Sequence, residues 1–164
     1  MTESPTALDP ERRLAHALEL AYRHLHRRDR TEAQLRRHLA SRGVQAPVID
    51  DAVRALARQG YLDDARYARV FAEDRRALDG WGPERIERAL LAAGVDGELV
   101  AGAVGLRDAG DELDAAVALL RRRYPEIPAT DRERERALGL LVRKGYDLEL
   151  AYDAVRELER AAVD

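Results

Sequence analysis

With 36% charged and only 5% aromatic residues in 164, the chain must draw most of its core from Leu, Ala and Val, a composition suited to packed helices. A formal net charge of −3 argues against binding nucleic acid through bulk charge, and the absence of cysteine excludes disulfides and cysteine-based zinc sites. No apolar run approaches the roughly 18 residues of a membrane span, and Met1 to Pro10 has neither the basic start nor the apolar stretch of a signal peptide. A cytoplasmic protein without a membrane partner is therefore expected, beginning with a flexible arm over residues 1–10 that contains Pro5 and Pro10.

A first helix follows, with Leu14, Leu18, Ala21 and Leu25 on one stripe. Arg27, Arg28 and Arg30 fall where it gives way to a second helix. Thr31 and Gln34 have the spacing of a capping box for that helix, which carries Arg36 and Arg37 and ends at Gly43. A third helix places Val48, Ile49, Ala52, Val53 and Leu56 on one face. Gly60, Tyr61 and Leu62 then lead to Asp63, which caps a fourth helix, and Asp64, which favours its dipole. Tyr61 is expected to pack at the junction between repeats.

The fourth helix carries an apolar stripe of Tyr67, Phe71 and Leu78, and a line of cations at Arg66, Arg69, Arg75 and Arg76. Trp81 precedes Gly82 and Pro83, and Pro83 suits the first turn of a fifth helix. Leu113, Val117 and Leu120 mark a seventh helix, which ends in Arg121, Arg122 and Arg123. Pro125 and Pro128 interrupt the chain before a second capping box at Thr130 and Glu133. The last helix places Leu148, Ala151, Tyr152, Val155 and Leu158 on one face.

These elements repeat. Gly43, Gly94 and Gly145 are 51 residues apart, and the same offset maps Leu39 to Leu90 to Leu141. It also maps Val48 to Leu99 to Leu150, Ala52 to Ala103 to Ala154, and Val53 to Val104 to Val155. Self-similarity at such a period marks a repeat architecture. The expectation is all-α: three tandem three-helix repeats over residues 11–60, 61–109 and 110–164, forming an elongated, curved helical body.

Little of this pattern points to catalysis. His16, His24, His26 and His38 show no metal-binding spacing, and Asp63 and Asp64 read as caps rather than as a catalytic pair. No phosphate-cradling glycine loop is present, so neither cofactor, metal nor small-molecule substrate is expected. Charge is the more informative feature. Arg12 to Arg42 holds nine arginines against three acids, whereas Ala89 to Ala118 holds one arginine against six. Such polarity can orient a macromolecular partner, and a direct nucleic-acid-binding helical module is one reading of it.

Gly60-Tyr61-Leu62-Asp63-Asp64-Ala65-Arg66-Tyr67-Ala68 resembles the signature of the RecX family, small bacterial regulators of the RecA recombinase. Leu35-Arg36-Arg37-His38-Leu39, Gly80-Trp81-Gly82-Pro83-Glu84-Arg85-Ile86 and Leu141-Val142-Arg143-Lys144-Gly145-Tyr146 resemble the three repeats of that family. The resemblance implies a cytoplasmic non-enzyme that binds RecA filaments on single-stranded DNA and inhibits ATP hydrolysis and strand exchange. It places the chain in recombination, DNA repair and the SOS response. Arg27, Arg28, Arg30, Arg36, Arg37, Arg66, Arg69, Arg75 and Arg76 are the candidate contacts to RecA or DNA; Gly43, Gly60, Tyr61, Leu62, Asp63, Asp64, Trp81, Gly94 and Gly145 are structural. The chain departs from the family in its pI near 5.9 and in Ala92-Ala93, which stands in place of a basic pair. Both departures argue against tight direct DNA binding and leave filament binding through protein contacts intact.

Overall fold

The computed structural model describes residues 9–161, in which there are nine α-helices and no strand. They are α1 (Pro10–Arg27), α2 (Glu32–Ser41), α3 (Ala46–Arg58), α4 (Asp64–Asp79), α5 (Pro83–Ala92), α6 (Gly97–Val104), α7 (Ala109–Arg123), α8 (Asp131–Lys144) and α9 (Leu148–Arg160). The expected arm lies outside the described residues except for Asp9 and Pro10, which start α1. Two compact units divide the chain, the first reaching to Tyr67 and including Ala93–Val95, the second taking Ala68–Ala92 and the residues from Asp96 onward.

In the first unit α1 packs on α2 and α3, and α2 packs on α3. Its core joins Ala17, Ala21, Leu35, Leu39, Ile49, Ala52, Val53, Leu56 and Leu62. Leu35, Leu39 and Leu56 are fully buried, and each such leucine contributes about 1.5–3 kcal/mol of transfer free energy. The second unit packs α5 on α6, and both α7 and α8 on α9. Leu119, Leu120, Leu141, Tyr146, Val155 and Leu158 belong to its core cluster. Burial, with Glu112 nearby, pushes the Tyr146 phenol up to about 12.

The repeat positions mostly face inward. Leu39, Leu90 and Leu141 are all fully buried, and Ala52, Ala103 and Ala154 are at most 5% exposed. Leu99 departs from the pattern at 37% exposed. Three other sequence expectations fail: Leu78 on α4, and Leu148 and Tyr152 on α9, lie exposed. Ala68 and Ala72 take the inward face of α4 instead, because a small side chain there admits closer packing.

Both expected capping boxes form. Thr31 Oγ1 accepts from Gln34 N at 3.1 Å while Gln34 Oε1 accepts from Thr31 N at 3.1 Å. Thr130 and Glu133 make the same exchange at the start of α8. Asp63 also caps as expected, its Oδ1 accepting from Arg66 N at 2.9 Å.

Each repeat glycine has a positive φ, but their surroundings differ. In the first unit Thr31 Oγ1 donates to the Ala93 carbonyl at 2.6 Å, and a Cβ on the adjacent Gly94 would lie 2.4 Å from the Ala33 Cβ. The joint recurs in the second unit, 51 residues on. Gly82 N donates to the Lys144 carbonyl at 2.7 Å, and Glu84 N donates to the Gly145 carbonyl at 3.0 Å. Gly82 has no side chain to cap α5, so these carbonyls supply the acceptors that its first N–H groups require.

Candidate partner-binding surface

Where α1 ends, Arg28 takes an extended backbone at φ −169°. The chain turns there, and the last carbonyls of α1 favour cations. Arg27 and Arg28 are exposed on this turn, Arg37 is exposed on α2, and Arg66 is exposed at the start of α4. Arg42, the C-cap of α2, is exposed as well. None of these five is in an ion pair among the described residues. Arg30 is half-buried, and burial, followed by Arg28, pulls its guanidinium below the usual value. Arg69 is also exposed and in no ion pair among the described residues, but it belongs to the second unit.

The other three candidate arginines serve the fold. Arg36 bonds Asp50 on α3 at 2.6 Å and Glu32 on its own helix at 3.0 Å. These two carboxylates hold it in its charged form, raising its pKa. Arg75 pairs with Asp79 at 2.5 Å and lies 5.8 Å from the ring centres of both Phe71 and Trp81. Arg76 is the clearest correction. Its side chain is 6% exposed, bonds Glu112 at 3.0 Å and donates to the Val104 carbonyl at 2.8 Å, which removes it from any partner.

Sequence reasoning missed the acid in that pair. Burial raises the Glu112 carboxyl, while Arg76 and Arg107 act in the opposite direction. Its signal was positional: Glu112, Ala116 and Leu119 share the i, i+4, i+7 spacing of the inward face of α7. Asp64 lies in the first turn of α4, as expected, and has a second role. Besides opening α4, its Oδ1 accepts from Glu32 N at 2.9 Å, so it closes the start of α2, a helix remote in sequence. Burial raises its carboxyl.

The remaining structural residues divide. Gly60 has φ +78° and lets the chain leave α3, and Leu62 is buried in the first core. Tyr61 is 55% exposed and meets Tyr22 edge-on, with ring centres 5.3 Å apart, so it is a surface residue of the first unit. Trp81 is half-buried, and the Arg85 guanidinium lies 4.2 Å from its ring centre. Arg85 also donates to the Arg143 carbonyl at 3.0 Å. Arg121, Arg122 and Arg123 are exposed at the end of α7.

The histidines yield one unforeseen arrangement. His24 on α1 and His38 on α2 stack with ring centres 3.8 Å apart and planes 8° from parallel. No group of three or more His, Cys, Asp or Glu among the described residues could hold a metal ion. No described helix is long and apolar enough to cross a membrane.

Comparison with known proteins resolves the family. Residues 17–56 match the first three-helix domain of RecX, and residues 63–104 match its second. The regulatory protein RecX of Amycolatopsis mediterranei is 32% identical over 155 residues, which cover 93% of this chain and 89% of that protein. The chain belongs to the RecX family of regulatory proteins.

The RecX regulatory protein of Mycobacterium avium is 34% identical, with 92% of this chain and 88% of the relative aligned. The fold agrees with the crystal structure of RecX from Lactobacillus salivarius at a TM-score of 0.80 and 20% identity, covering 91% of this chain and 98% of that one. RecX membership makes the chain a regulator rather than an enzyme.

Proposed function

We propose that this chain binds filaments of the RecA recombinase on single-stranded DNA and inhibits their ATP hydrolysis and strand exchange. The observation that carries the reading is the set of exposed, unpaired arginines in a chain of the RecX family. Arg27, Arg28, Arg37 and Arg66, joined by the half-buried Arg30, form the proposed contact surface of the first unit, with Arg69 as a separate contact in the second. Arg36, Arg75 and Arg76 leave the set because their charges are already satisfied internally.

A guanidinium fork suits both carboxylates and phosphates, so this surface can meet acidic protein side chains and DNA at once. The three repeats, at residues 11–60, 61–109 and 110–164, would spread contacts over adjacent protomers. Contact of this kind hinders strand entry and the protomer motions coupled to ATP hydrolysis. The setting is cytoplasmic, in recombination and the SOS response.

The test is the DNA-dependent ATPase of RecA with increasing amounts of the protein. Falling turnover is expected; unchanged turnover at saturation would reject the proposal. Direct nucleic-acid binding without RecA is the second reading, favoured by the unpaired cations of the first unit. It requires affinity that falls steeply with salt.

A further inference from the structure

The stacked imidazoles of His24 and His38 sit in a one-signed field. Burial, then His38 and Arg30, Arg27 and Arg28, pull His24 below its usual 6.5. Burial, then Arg42, Arg30 and Arg27, do the same to His38. The carboxylates of the three helices packed here are committed or remote. Glu32 and Asp50 bond Arg36, Asp51 bonds Arg54, and Glu19 bonds Arg23. Glu11 lies ~20 Å back along α1 at the helical rise per residue. In the connector only Asp29 remains, and it is exposed.

Two flat rings at 3.8 Å resist double protonation, since each new charge would face its neighbour and the surrounding guanidiniums. An anion placed among them reverses that balance. It offsets the arginines, and each imidazole can then take up a proton and act as a further donor. Because the unpaired cations Arg27, Arg28, Arg37 and Arg42 recur within one short stretch, a ligand with regularly spaced charges fits better than a single carboxylate. A phosphate also offers oxygens in several directions to donors arriving from α1, the connector and α2.

We infer that His24, His38, Arg27, Arg30 and Arg42 form a proton-linked site for the phosphodiester backbone of single-stranded DNA, in which strand binding loads protons onto the histidine pair. The inference rests on the reading of the arginines of the first unit as a partner surface and adds its regulation: grip tightens as pH falls.

The full chain should be titrated with a fluorescein-labelled oligothymidylate at constant ionic strength. Each proton taken up gives up to about tenfold tighter binding per pH unit. Wild type should bind about tenfold more tightly near pH 6 than near pH 8, and His24→Gln/His38→Gln less than about twofold. Proton NMR of the wild type near pH 7 gives a readout that needs no variant: adding the oligonucleotide should move both imidazoles toward their protonated shifts. Equal pH slopes in the two proteins, imidazoles that do not move, or no binding at either pH would overturn the inference. So would the same pH-linked tightening on polyglutamate at equal affinity, which would assign the site to acidic protein. RecA ATPase measured on the same preparations separates the two proposals, because inhibition that persists without proton-linked strand binding removes this one alone.

Discussion

Gly145 presses against Arg85: a Cβ on the glycine would lie 2.4 Å from the Arg85 Cβ and 2.5 Å from its backbone nitrogen. Gly94 has the same relation to Ala33, with the imagined Cβ 2.4 Å from that methyl group. Gly43 shares their positive φ yet meets nothing within 4 Å. Gly43→Ala should therefore cost about 1 kcal/mol, the strain of the left-handed backbone alone. Gly145→Ala adds a clash with backbone that cannot swing away and should cost about 3 kcal/mol or more. Urea unfolding of both variants checks the ranking, and equal midpoints would show that these joints are loose.

Arg76 and Glu112 form a pair whose side chains are each only 6% exposed. Replacing one partner leaves a charge without its counter-ion, so Glu112→Ala should destabilise by about 3–5 kcal/mol. The double variant Arg76→Met/Glu112→Leu should recover most of the loss, since two apolar groups need no pairing. Thermal melts of the two variants decide it; a double variant as unstable as Glu112→Ala would mean that the bond from Arg76 to the Val104 carbonyl dominates.

Asp64 and Tyr61 lie in the same signature but carry different structural weight. Asp64→Ala strips the acceptor from Glu32 N and should cost about 1–2 kcal/mol. Tyr61→Ala removes a half-exposed ring and its edge contact to Tyr22, a loss of about 1 kcal/mol or less. Hydrogen exchange at the Glu32 amide should speed up in the Asp64 variant and stay unchanged in the Tyr61 variant.

For the proposed RecA contact, Arg27→Ala/Arg28→Ala/Arg37→Ala should abolish inhibition of the ATPase while leaving the helical circular dichroism intact. Arg36→Ala should behave differently. It breaks two partly exposed ion pairs, so about 1 kcal/mol of stability is lost and inhibition is retained in the cold. Full inhibition by the triple variant would move the interface elsewhere.

Much of this protein is legible in one dimension. The 51-residue spacing of Gly43, Gly94 and Gly145 and the capping boxes at Thr31 and Thr130 report helix starts and stops, which depend on neighbours within a few residues. The apolar spacing likewise anticipates that Leu39, Leu90 and Leu141 are buried. Long-range pairing is not written in such local patterns. Arg36, Arg37, Arg75 and Arg76 look alike along the chain, yet Asp50 engages the first, solvent surrounds the second, Asp79 engages the third and Glu112 buries the fourth. His24 and His38 become a stack only because α1 packs on α2. The sequence by itself determined the helices, their repeat and the sign of charge in each stretch. Only the tertiary structure decided which arginines remain free and which repeat glycines are confined, because both depend on atoms brought close from distant parts of the chain.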